Sequence, residues 1–336
     1  MKKFTTLLLL CLCVGCAENH RKPEKLPEAA EKSPIIPKIC DRIRRLDMIA
    51  VTPGSGTGPQ TASYLKKCGI NAPDTSLANK DVFNSADTDD HRLNYFLDAI
   101  NSDHKIIWAV RGGFGTERLV ASLNRLPKSS RAKTLVGFCD ITSLNLFISQ
   151  NWPEWRVIHG AVLIYLNGKL LDPKFNLLTD ILENKIKSYT VDNLSPLNDK
   201  ARSTESVAGK LTGGNLTLLE NSLKTCREIQ TKGKIIFIED VHEEPERIYR
   251  MMYHLKEAGK LSEAKAVVFG HFHAVSDPKR LLLFLKGFAR TLDIPVYLTD
   301  RFGHGDYNTP LIYNAPAEIR AGKMTVTVPP PPAPGK

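Results

Sequence analysis

Four apolar runs, each ending in a turn that carries glycines or reactive side chains, constrain this chain more than any other feature. Residues 47–51 (DMIAV) lead into Thr52-Pro53-Gly54-Ser55-Gly56, and residues 106–110 (IIWAV) into Arg111-Gly112-Gly113-Phe114-Gly115. Residues 134–138 (TLVGF) lead into Cys139-Asp140, and residues 234–238 (KIIFI) into Glu239-Asp240. Between them lie segments of helical character. Residues 90–101 repeat apolar side chains at Leu93, Phe96, Leu97 and Ile100, residues 142–150 read as a helix, and residues 245–258 open on Pro245 and stop before Gly259. Further strands are expected at 266–269 and 296–298. Strand, turn and helix in alternation specify an α/β fold with a mostly parallel sheet covered by helices.

At 336 residues, 42% of them hydrophobic, the chain can bury two domain cores, since a domain takes roughly 150 residues. Residues 46–165 form the first expected domain and residues 205–325 the second. Residues 166–204 show no clear period and read as a connection. The ends differ in kind. Lys2 and Lys3 precede an apolar stretch to Val14 and a small-residue site at Gly15-Cys16. A bilayer span takes about 20 apolar residues, so residues 1–15 read as a signal peptide. Cys16 then resembles the acylated cysteine of a bacterial lipobox, with residues 16–45, charged and Pro-rich, as a tether off the membrane. The tail at 326–336 (VTVPPPPAPGK) is Pro-rich and extended.

The formal charge is +10, and +8 once the two lysines of residues 1–15 are removed. An exported chain with scattered charge points away from nucleic acid and leaves anionic wall polymer or lipid headgroups, or an ordinary solvated surface, as the account of the excess. An oxidising envelope also permits disulfides, with Cys40 and Cys68 as a candidate pair.

Ligands of open α/β sheets bind outside the carboxyl ends of the strands, where the four turns lie. Gly137-Phe138-Cys139-Asp140-Ile141-Thr142 has the layout of a nucleophile elbow. A side chain on a tight strand-to-helix turn stands clear of its backbone, and the next amide can serve an oxyanion. The helix N-terminus favours a thiolate. The glycines after Arg111 offer amides for a second oxyanion contact but lack the spacing of a nucleotide fingerprint, so no cofactor is expected. Glu239, at a strand end, is placed to orient a histidine. His304, in FGHGDYN, sits in a loop, where functional residues concentrate. His271 and His273 share a strand face, but no third ligand completes a zinc pattern, and no metal is expected. His159, in VIHGAVL, reads as a hydrogen-bonded structural histidine.

In chain order, IAVTPGSG, AVRGGFGTERLV, LVGFCDITSLNLFI, VIHGAVL, GKLTGGNLTLLENSL, IIFIEDVHEEPERIYRMMYHLKEAG, AVVFGHF and FGHGDYNTPL resemble the LD-carboxypeptidase family, which includes the microcin C immunity peptidases. The resemblance implies a Rossmann-like N-terminal domain bearing the nucleophile and a smaller C-terminal α/β domain of the swivelling type bearing Glu and His. It implies a metal-free triad of Cys139, Glu239 and His304, with oxyanion donors at the amides of Gly113 and Asp140. Arg111 and Asn215 are added as candidates for shaping the substrate site. The family's G-Y-S-D-I-T is here G-F-C-D-I-T, so a thiol replaces the serine hydroxyl. The implied activity removes the terminal D-amino acid of a murein tetrapeptide, by way of a thioester. The expected partners are murein peptides and, through a lipid on Cys16, an envelope membrane, the outer one in preference to the inner. A homodimer stays open as the assembly. Two alternatives are a muropeptide-binding lipoprotein without activity and an immunity-type peptidase acting on a peptide-nucleotide antibiotic.

Overall fold

A computed structural model describes residues 35–73, 85–129, 131–166 and 173–333. The leader, Cys16 and the tether up to residue 34 lie outside the described residues. Among those described, no helix is long and apolar enough to cross a membrane.

The chain opens with α1 (Ile35–Arg44), β1 (Met48–Val51), α2 (Pro59–Lys67), α3 (Asp89–Asn101), β2 (Ile106–Ala109), α4 (Thr116–Leu123) and β3 (Thr134–Val136). A single 3-10 turn (Cys139–Ile141) joins β3 to α5 (Thr142–Asn151), and β4 (Arg156–His159) and a second 3-10 turn (Leu163–Leu166) follow. Strands β1 to β4 pair in parallel in sequence order. All four residues of β2 and of β4 are buried, as a sheet covered on both faces requires. Thr88 caps α3 by accepting from the His91 amide at 3.4 Å, and Asp89 and Asp90 in its first turn complement the helix dipole.

The second half continues with α6 (Pro173–Leu182), β5 (Ser188–Val191), β6 (Ser195–Pro196), α7 (Asp199–Ser203), β7 (Ser206–Asn215), α8 (Leu216–Glu220), β8 (Lys234–Val241), α9 (Pro245–Glu257), β9 (Ala266–His273), α10 (Pro278–Arg290) and β10 (Val296–Gly303). It ends in β11 (Leu311–Ile312), β12 (Pro316–Arg320) and β13 (Lys323–Thr327). Strands β7, β8, β9 and β10 form the parallel centre of an eight-stranded sheet ordered β5-β13-β12-β7-β8-β9-β10-β6. Strand β11 leaves that lobe and pairs antiparallel with β4, with Leu311 opposite His159 and Ile312 opposite Ile158. The first sheet is therefore completed by a strand from the second half of the chain.

Three expectations about the chain's organisation are corrected. Residues 35–44 are helical rather than tether. Ile39, Cys40 and Ile43 share a buried helix face, and Cys40 is joined by a disulfide to Cys68 just beyond α2. Residues 166–204 are more than a connection. Helix α6 holds α1 through Arg42, which pairs with Asp180 at 2.6 Å and with Glu183, and β5 and β6 are the edge strands of the second sheet. The Pro-rich tail also begins later than residue 326, because β13 runs to Thr327 and the Val328 amide donates to the Lys187 carbonyl at 2.8 Å.

Candidate active site

Cys139 sits on the turn between β3 and α5 with φ of 62°, a left-handed backbone that costs a non-glycine residue on the order of 1 kcal/mol. Neighbouring contacts hold it there. The Asn145 side chain donates to the Gly137 carbonyl at 2.9 Å, tying α5 back onto the elbow. The buried Asp140 carboxylate accepts from the Thr116 amide at 3.0 Å, and the Thr116 hydroxyl donates to the Asp140 carbonyl, locking the elbow to the start of α4. Burial, with the nearby Glu117 charge adding to it, pushes the Asp140 carboxyl up to about 6.

The glycine turn after β2 lies directly against the thiol. A Cβ on Gly112 would stand 2.7 Å from Cys139 Cβ and 3.1 Å from its Sγ, so only glycine fits there. Gly113 backs onto Ser55 instead. The Ser55 amide donates to the Gly112 carbonyl at 2.8 Å, and exposed Arg111 donates to the Gly56 carbonyl at 3.2 Å. The two glycine-rich turns expected at the sheet's carboxyl end thus form one braced rim.

From the other lobe come the carboxylate and the imidazole. Glu239 is fully buried near the end of β8, and His304 follows β10. His304 Nδ1 donates to Glu239 Oε2 at 2.5 Å. Gly303, with φ of 106°, admits this approach: a Cβ there would meet Glu239 Cβ at 2.9 Å. Burial works to lower the His304 pKa, but the Glu239 charge and hydrogen bonding with Cys139 and Glu239 raise it well above the ordinary histidine range. Burial likewise works to raise Glu239, and the charge and hydrogen bond of His304 hold it below its ordinary value. Both displacements favour an imidazolium–carboxylate pair. The Phe138 ring packs on the His304 ring with centroids 4.6 Å apart. Cys139, Glu239 and His304 are thus brought together around one ring.

Asn215 departs from its expected place in the substrate site. Its Nδ2 donates to Asp240 at 2.6 Å, its Oδ1 accepts from the Leu218 amide at 3.3 Å, and its backbone amide donates to Thr142 Oγ1 at 3.1 Å. With both ends of the amide engaged, it caps α8 and joins the lobes rather than facing a ligand. His159 departs too. It is fully buried, and neither ring nitrogen has a protein hydrogen-bond partner among the described residues.

Tyr165 went unnoticed in the sequence. Its ring packs against Phe138 with centroids 5.7 Å apart, and burial raises its phenol well above the ordinary range, with the Cys139 and Glu239 charges adding to the rise and Arg111 opposing it. No local period marks Tyr165, which lies in a short turn beyond β4. His271 and His273 have ring centroids 5.6 Å apart near the end of β9. No group of three His, Cys, Asp or Glu is arranged to hold a metal ion among the described residues.

Comparison with known proteins places this geometry in context. The LD-carboxypeptidase N-terminal domain matches residues 51–160, and the LD-carboxypeptidase C-terminal domain matches residues 208–319. A Rickettsia conorii protein described as a carboxypeptidase is 40% identical over 84% of this chain and 90% of its own length. A Bacillus subtilis protein described as a probable murein peptide carboxypeptidase is 32% identical over 72% of this chain and 77% of its own length. The crystal structure of muramoyltetrapeptide carboxypeptidase from Oxalobacter formigenes superposes with a TM-score of 0.71 at 26% identity, covering 85% of this chain and 99% of that one. With both halves matched, in order and over most of its length, the chain belongs to the LD-carboxypeptidase family of peptidases.

Proposed function

We propose that this protein removes the terminal D-amino acid from murein tetrapeptides, with Cys139 as nucleophile, His304 as general base and acid, and Glu239 as the group that orients and charges the imidazole. The observation that carries this reading is the shared ring. His304 bonds Glu239 through Nδ1 and interacts electrostatically with Cys139, whose thiol stands on a strained elbow. The thiol proton resides on His304 in a thiolate–imidazolium pair, and in the first step the sulfur attacks the carbonyl carbon of the last peptide bond. The tetrahedral oxyanion is met by the amides of Asp140 and Gly113. Its collapse expels the D-amino acid, whose nitrogen takes the proton from His304, and leaves a thioester. Water, deprotonated by His304, attacks the thioester and frees the shortened peptide and the thiol. The sequence pattern of residues 1–15 and Cys16 supports an envelope location on a lipid anchor for this work. Substrate identity enters from the names of relatives and the chemistry from this chain's own residues.

Mass spectrometry of murein tetrapeptide incubated with the purified protein tests the reading. Native protein is expected to release the terminal D-amino acid. Cys139→Ala is expected to lose on the order of 10⁴-fold or more, and Cys139→Ser to retain a measurable rate. Equal release by native protein and Cys139→Ala, or none by native protein, refutes it.

A further inference from the structure

His159 closes β4 at the same sheet edge as the elbow, yet the proposed chemistry makes no use of it. Its ring is fully buried and has no protein hydrogen-bond partner at either nitrogen among the described residues. The ring is wedged between Phe138 and Phe237, edge to face, with centroids 5.6 and 5.2 Å away. Two unpaired buried nitrogens are costly, and a phenylalanine would pack in the same aromatic slot without that cost. Packing therefore does not account for a polar ring there. Glu239 presents the complementary anomaly. His304 uses Oε2, whereas Oε1 is buried and without a protein partner among the described residues. Electrostatic interaction links His159 to both Glu239 and His304.

We propose that His159 is a positioning residue for the Glu239–His304 pair, its neutral ring donating an N–H, through one buried water, to the Glu239 oxygen that His304 leaves free. Burial keeps the ring neutral, with its pKa lowered to about 4, so one nitrogen donates and the other accepts at working pH. A site with several polar partners is what a buried water needs. With Oε2 held by His304 and Oε1 by His159, the carboxylate cannot rotate. A donor to its second oxygen also favours its charged form. The inference rests on the reading of Glu239 and His304 as the working pair and adds a fourth residue behind them.

The test follows Cys139 alkylation by iodoacetamide across pH 4 to 9 in a Cys226→Ser background, because Cys226 is the other free thiol and is exposed. Acid protonates Glu239, dissolves the ion pair and slows alkylation. In His159→Leu this acid limb is expected to move up by about one pH unit, roughly a tenfold loss of rate at a fixed acidic pH. In His159→Gln, which retains a donor, it is expected to stay near the native position. The other titratable groups around Glu239 are His304, His271 from β9, Asp240 on its own strand, Tyr165 and Tyr313. Each is present in every variant, so a shift reports on residue 159. Coincident limbs in all three proteins overturn the inference, since a purely structural role lowers yield or stability without moving the limb. Nitrogen-15 spectra of the native protein provide a check that needs no variant. The His159 ring is expected to stay neutral with one protonated nitrogen from pH 5 to 9, and titration near 6.5 overturns the inference. D-amino acid release is scored separately. A shifted limb without peptide cleavage upholds the positioning role and removes the substrate reading. Coincident limbs with cleavage do the reverse.

Discussion

The two sides of the site are built by different physics. On the N-terminal side, function is stored in backbone: a left-handed Cys139, a Gly112 that allows no side chain, and an elbow tied to α4 and α5 by Thr116 and Asn145. On the C-terminal side it is stored in charge. A fully buried carboxylate and a largely buried imidazole keep each other ionised, against a desolvation that acts on both. The first side should fail when atoms are added and gain stability when strain is released. The second should fail when a charge is removed and respond to pH.

The largest expected effect tests the charged side. Glu239→Gln keeps the volume but removes the counter-charge of His304, and peptide release is expected to fall on the order of 10³-fold. The same variant should alter the pH dependence of stability. The native pKa of Glu239 is depressed, so its contribution is present above the unfolded carboxylate value. It is lost as pH falls through the lower native value. Urea unfolding at pH 3 to 7 is expected to show this loss in the native protein and not in Glu239→Gln. Matching curves would mean that the pair contributes no linkage.

A smaller effect tests the backbone side. Gly112→Ala places a methyl 2.7 Å from Cys139 Cβ, and the thiol must shift. Since displacement by about 1 Å costs on the order of 10²-fold in rate, kcat is expected to fall by that order without the pH response seen in Glu239→Gln. An unchanged kcat would show that the rim yields freely. The smallest effect concerns stability alone. Cys139→Gly removes the side chain that makes φ of 62° costly, so the inactive variant is expected to gain about 1 kcal/mol in urea unfolding. A loss of stability would place the thiol among the groups that hold the fold together.

What the sequence revealed follows the same division. Cys139 and Glu239 were legible because each directly follows an apolar run that has to be a buried strand, and His304 because it stands between glycines in a loop. Strands β8, β9 and β10 proved longer than their apolar runs because they continue through Glu239, His271 and Gly303, residues that carry no β pattern. Helix α1 was hidden because Ile39, Cys40 and Ile43 lie beside a Pro-rich, charged stretch, and their burial depends on partners in α2 and α6. Asn215 misled for a related reason. An amide beside glycines has the chemistry of a ligand contact, and its actual partners, Asp240 and Thr142, are 25 and 73 residues away. His159 carried the better clue, a polar ring ending an apolar run, but its lack of partners shows only in three dimensions.

Strand β11 has a mechanical consequence. By hydrogen bonding along β4 it sews the lobe that bears the imidazole onto the sheet that bears the thiol, immediately before Tyr313, whose hydroxyl donates back to the Gly213 carbonyl at 2.7 Å. The two halves are therefore tied by backbone hydrogen bonds at the sheet that bears the thiol. Alignment between sulfur and ring thus depends on the register of β11 against β4, within which a thiol, longer in its bonds than a hydroxyl, has to be accommodated.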